Sequence, residues 1–179
     1  MCTKTLSLFV ALSSFCSFAS ARAEGETRQP PPELKKTVDA FAGRWSLVGT
    51  VTLPGAQPAG LKSKMVCTKA AGGKAVSCLE EGMAAGLGPM QGAYLIGYDT
   101  FGKRVHFMAI TSDEAVHDHP CSWSNEHDLT CDPLKGGMNG SPITEEFVVS
   151  FNEKTLAIKV KVTLPDGGVM LIDIKGKRA

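Results

Sequence analysis

Neither charge sign dominates this 179-residue chain: 19 Lys and Arg stand against 18 Asp and Glu. A net charge of +1 leaves no basic footprint for nucleic acid or for an anionic membrane surface. After residue 23 no stretch is apolar enough to span a bilayer. GxSxG, HExxH and P-loop motifs are absent, and no clearly paired carboxylates stand out. No repeat and no strand–helix–strand alternation appear, which excludes solenoids and parallel-sheet nucleotide-binding folds. With no nucleophile–base or acid–base pair to name, the chain reads as a non-enzyme. What is present is an ordinary globular composition, 43% hydrophobic and 21% charged, at a length that suits one domain.

The N-terminus reads as a secretory signal peptide over residues 1–23. Met1 to Lys4 is a short positive region, Leu6 to Ala19 is apolar or small, and Ala21-Arg22-Ala23 fits the small-x-small cleavage pattern. A lipoprotein anchor at Cys16 fits less well, because bulky Phe15 precedes it. The expectation is a periplasmic or secreted protein. Residues 24–32, polar and rich in proline, read as a loose N-terminal arm, and residues 33–179 as the folded domain.

Export changes how the cysteines are read. Cys67, Cys78, Cys121 and Cys131 remain after cleavage, and in an oxidising compartment two disulfides are the default. A hairpin turn centred on Gly72-Gly73 sets Cys67 directly opposite Cys78. A loop centred on Glu126 does the same for Cys121 and Cys131. Directly opposed strand residues lie within disulfide reach, so the local pairs Cys67–Cys78 and Cys121–Cys131 are expected. A zinc site of four thiolates wants closer CxxC-like pairs than these.

Leu34, Val38 and Phe41 recur at helical spacing after Pro31-Pro32, which predicts a short amphipathic helix stopped by Gly43. From Trp45 the period changes to two. Leu156, Ile158, Val160, Val162 and Leu164 alternate with Ala157, Lys159, Lys161 and Thr163, one face buried and the other wet. Further strands are expected near 61–69, 74–80, 92–99, 104–112, 115–123, 128–132, 145–151 and 168–175, separated by Gly- and Pro-rich turns. Gly86 to Gly92 reads as a flexible loop at a barrel mouth, and Glu80-Glu81 and Glu145-Glu146 as rim charges. The fold class is therefore all-β, an antiparallel up-and-down barrel of about 8–10 strands with a short N-terminal helix.

The segment Phe41-Ala42-Gly43-Arg44-Trp45 places Gly-x-Trp after a short helix and at the start of the first strand. This resembles the lipocalin and wider calycin signature, in which the Trp closes one end of the barrel. The resemblance implies a basic residue packing across that Trp from the final strand, and Arg178 stands where it is expected. Gly97-Tyr98-Asp99 adds to the pattern, which is similar to a bacterial secreted family of unknown function with lipocalin-like domains over residues 38–178. Trp45 and Arg178 are thus structural. The chain departs from that family at Ala115 to Cys131, a stretch rich in His and Cys.

The one constellation able to carry chemistry is the histidines. His106, His117, His119 and His127 fall close together, and His117-Asp118-His119 on a strand puts two imidazoles on one face. That spacing suits zinc or copper. A two-residue turn at Ser112-Asp113 sets His106 opposite His119 and Met108 opposite His117, giving a candidate metal set of His106, His117 and His119. A turn half a residue later sends His106 to the other face. The leading function is a binding module with a small apolar ligand between the rows led by Leu47 and Leu156. The alternatives are a metal- or haem-binding barrel through His117 and His119, and a structural envelope protein whose barrel is filled by its own side chains.

Overall fold

The computed structural model describes residues 31–112, 116–138 and 140–179. The expected signal peptide, and the arm up to residue 30, lie outside the described residues. The chain begins with helix α1 (Pro32–Phe41), where Pro32 takes the first helical position and needs no N–H partner. Leu34, Thr37, Val38 and Phe41 form its buried face, and the helix ends at Phe41, two residues before Gly43.

Strands follow as β1 (Gly43–Thr52), β2 (Ala59–Ala70), β3 (Ala75–Ala84), β4 (Gly88–Asp99), β5 (Arg104–Thr111) and β6 (Val116–Trp123). The remainder are β7 (Asp128–Cys131), β8 (Leu134–Met138), β9 (Ser141–Asn152), β10 (Thr155–Thr163) and β11 (Val169–Arg178). All pairings are antiparallel. Each strand pairs with its sequence neighbour from β1 to β7, then β7 with β9, β9 with β10, β10 with β11, and β11 with β1. Ten strands thus close a ring, which removes the exposed edges of an open sheet.

Strand β8 is the exception and was not expected from the sequence. It pairs with the first half of β9, while β7 pairs with the second half. On the other side of this place in the wall, β6 pairs with β7 only from Cys121 to Trp123. Among the described residues no ladder joins β8 to the first half of β6. The barrel therefore has a seam between Val116–Pro120 and Leu134–Met138.

Two turns position the disulfides. Ala71, Gly72 and Gly73 form a tight turn in which all three residues adopt positive φ, and the register through it opposes Cys67 to Cys78. Cys121 opposes Cys131 in the β6–β7 hairpin, and both pairs are bonded. The segment Gly86–Gly92 is mostly strand rather than loop. Its left-handed glycines, Gly86 and Gly88, confine the turn to a few residues, and Leu87 N–H closes it onto Ala84 O.

One end of the barrel is plugged. Trp45 is fully buried and donates from Nε1 to Phe41 O at 2.8 Å. The Arg178 guanidinium lies over the Trp45 ring, 4.6 Å from its centroid, and donates to Ala40 O and Asp39 O. One side chain thereby holds the last strand, the first strand and the C-terminal carbonyls of α1 together. Trp123 donates to the Thr37 hydroxyl, tying β6 to the same helix. Above this plug Leu47 and Leu156, both buried, close over Gly176. A Cβ on Gly176 would lie 2.6 Å from Leu47 Cδ2 and 2.8 Å from Leu156 Cγ. Leu47 and Leu156 flank Gly176 on the neighbouring strands β1 and β10, and the missing side chain at Gly176 lets them meet along this stretch of wall.

Candidate functional site

The first half of β6 alternates Val116, His117, Asp118 and His119, with the two histidines inward and buried. Inward on β9 the row runs Ile143, Glu145, Phe147, Val149 and Phe151, apolar at every position but one. The Glu145 carboxylate meets the two imidazoles across the seam. Its Oε2 lies 2.8 Å from His117 Nδ1, and its Oε1 lies 3.8 Å from His119 Nε2. Ring centroids of His117 and His119 are 5.6 Å apart and nearly perpendicular. One ligand atom from each of the three residues falls within 4.8 Å of the others.

Both nitrogens of His117 face acceptors, for Nε2 lies 3.2 Å from Gly137 O on β8. A neutral imidazole has a single N–H, so its two contacts require either a second proton or a cation in place of one. Gly136 makes room for this ring, since a Cβ there would stand 3.2 Å from Nε2. His119 is 2% exposed, and its Nδ1 has no hydrogen-bond partner among the described residues. Burial, reinforced by the neighbouring His117, pushes its pKa down to about 4, so the ring is neutral at physiological pH.

His106 does not join this group. The observed register opposes His106 to Pro120, Met108 to Asp118 and Ala109 to His117. This is the turn shifted by half a residue, and in a strand that shift reverses the face. His106 instead pairs with Asp118 on the outer wall, Nδ1 to Oδ1 at 2.9 Å. Met108 is likewise outward and half exposed. His127 sits in the exposed turn before β7. Trp45 and Arg178 occupy the opposite end.

Glu145 is the residue that sequence reading placed on the rim. Its neighbour Glu146 does point outward, accepting from Lys161 at 2.9 Å. Position 145, however, falls on the apolar face of the Ile143–Phe151 alternation, and a carboxylate on such a row signals a buried partner. Glu80 repeats the pattern on β3. It is buried, not on the rim, and accepts from Ser63 Oγ at 2.5 Å and Tyr94 OH at 2.7 Å. An aromatic belt connects the two carboxylates: Tyr94 contacts Phe107, Phe107 contacts Phe147, and Phe147 contacts His119.

A shallow, open depression of about 440 Å³ lies where β8, the start of β9 and the end of β10 meet, at the end of the barrel away from Trp45. Ile143, Leu164, Pro142 and Pro165 supply its apolar surface, and Gly136, which backs on His117, is part of its wall. A second depression of about 370 Å³ lies along the outer wall beside Val48 and Met83.

No protein-family model matches the chain, and no curated protein matches it. Among solved structures it is similar to an S-type phycobiliprotein lyase from Guillardia theta, at 10% identity and a TM-score of 0.58. That match covers 84% of this chain and 98% of the lyase. A de novo designed fluorescence-activating β-barrel matches over 80% of this chain and 98% of its own, at 10% identity and a TM-score of 0.42. The likeness to the lyase shows a shared barrel fold. Among the described residues no helix is long and apolar enough to cross a membrane, and the two disulfides suit an oxidising compartment.

Proposed function

We propose that this chain is an exported, lipocalin-like binding protein that holds a small, largely apolar ligand at the open mouth of its barrel. The role is binding rather than turnover. The observation that carries the reading is the asymmetry of the barrel. One end is plugged by α1, Trp45 and Arg178, and the other bears a shallow, open depression whose wall combines Pro142, Ile143, Leu164 and Pro165 with Lys135, Thr144 and Thr163. Small-ligand sites have this composition: apolar walls for affinity and a few placed polar groups for orientation. The signal-like segment ending at Ala23 and the paired cysteines support export, and Gly43-x-Trp45 with Arg178 supports kinship with secreted lipocalin-like proteins.

An environment-sensitive hydrophobic dye tests the reading on the full folded chain. Saturable binding is expected, weakened by Leu164→Asp at the mouth and retained in Met83→Asp on the outer wall. Absence of saturable binding contradicts the reading and leaves a filled structural barrel. Loss in Met83→Asp with retention in Leu164→Asp contradicts it as well.

A further inference from the structure

We propose that His117, His119 and Glu145 form a binding site for a divalent transition metal of the zinc class, set into the seam of the barrel wall. This goes beyond the apolar-ligand reading and does not depend on it. Three observations carry the proposal, and each concerns a different atom.

The first is the hydrogen-bonding conflict at His117. Nε2 faces Gly137 O and Nδ1 faces a carboxylate oxygen 2.8 Å away, so the ring needs either a second proton or a metal cation held between Nδ1 and the carboxylate. A backbone carbonyl orienting the far N–H of the ring is the usual arrangement for a metal-ligating histidine. The second is His119, buried, with Nδ1 unpartnered and Nε2 held 3.8 Å from Glu145 Oε1. Two ligands of one tetrahedral zinc, each about 2.0–2.1 Å from the ion, lie roughly 3.4 Å apart, close to this spacing. The third is the position of Glu145. It interrupts the apolar row of β9 at the level of the two imidazoles, where burying a carboxylate is costly unless it is matched by a cation.

Two imidazoles and a carboxylate form a borderline-soft N/O set that suits Zn²⁺ and its neighbours better than Ca²⁺ or Mg²⁺. Three protein ligands leave a fourth position for water or another donor. The location gives the ion a structural task too. Its ligands come from β6 and β9, on either side of β8, so it closes the stretch of wall that no ladder closes. His106 and Asp118, paired on the outer wall, take no part.

The test uses the full disulfide-bonded chain, stripped with chelator and titrated with Zn²⁺ by calorimetry and with Co²⁺ by visible absorption. One-to-one binding is expected, with the d–d bands of a low-coordinate N/O site for Co²⁺. His119→Ala and Glu145→Ala should each weaken binding by at least about tenfold, and His106→Ala should leave it unchanged. Unaltered affinity in His119→Ala, loss of binding in His106→Ala, or absence of one-to-one binding in the unmodified chain overturns the proposal. If circular dichroism shows either cluster variant unfolded, the Co²⁺ spectrum of the unmodified chain decides, and missing d–d bands overturn the site.

Discussion

Glu145 Oε2 lies 2.8 Å from His117 Nδ1, although β6 and β9 share no ladder where these residues face each other. The contact spans a gap that β8 fills only from one side. Side chains do here what backbone hydrogen bonds do around the rest of the ring. The carboxylate and the two imidazoles stabilise one another across this gap.

Removing the carboxylate exposes that dependence. Glu145→Ala should destabilise the metal-free protein by about 3–5 kcal/mol, the usual cost of leaving one buried ionic partner unmatched. Outward Glu146→Ala loses only the exposed pair with Lys161 and should cost less than about 1 kcal/mol. Urea unfolding of the two variants, side by side, measures the contrast.

Acid should destabilise the metal-free protein through His119. Its folded pKa is about 4 against an ordinary 6.5, so the ring is neutral in both states above pH 6.5 and contributes full stability there. As pH falls below 6.5 the unfolded chain takes up a proton that the folded chain refuses. Stability then declines down to about pH 4, by on the order of 3 kcal/mol. In His119→Phe this part of the pH dependence should flatten. Denaturant midpoints measured at several pH values in chelator give the two curves, and equal slopes would contradict the assignment.

At the plugged end, Trp45→Ala should cost about 3–5 kcal/mol, since it empties a fully buried site and frees Phe41 O and the Arg178 guanidinium. Arg178→Lys keeps the charge but loses the planar group that reaches two helix carbonyls while stacking on Trp45. A smaller loss, about 1–2 kcal/mol, is expected. Thermal unfolding of both variants checks the order.

The disulfides close loops with sequence separations of 11 and 10, for which loop-closure entropy gives roughly 2–3 kcal/mol each. Non-reduced peptide mapping should link Cys67 to Cys78 and Cys121 to Cys131. A Cys67–Cys121 or Cys67–Cys131 link would contradict the observed register.

Much of the barrel was legible because its signals are local. Gly72-Gly73 centres a hairpin whose register follows by counting, and that count opposes Cys67 to Cys78. The Leu156–Leu164 alternation marks β10, and Gly43-x-Trp45 with Arg178 marks the plugged end. The site was legible in part. His117 and His119 share an inward face whatever the register, but the face of His106 depends on where the β5–β6 turn is centred. Half a residue there moved it from the interior to a surface pair with Asp118. Strand β8 carries little pattern, because Gly136 and Gly137 interrupt any alternation and its ladder comes from β9 alone. Glu145 was missed for a related reason. Paired with Glu146 it resembles a charged rim, and only the full row from Ile143 to Phe151 shows that its side chain points inward.

Anomalous X-ray diffraction at the zinc edge, on crystals of the full chain grown with Zn²⁺, tests the metal site most directly. A single strong peak is predicted about 2.0–2.2 Å from His117 Nδ1, from a ring nitrogen of His119 and from a Glu145 oxygen. A peak at His106 and Asp118 with none at the seam, or no ordered peak at all, would contradict it.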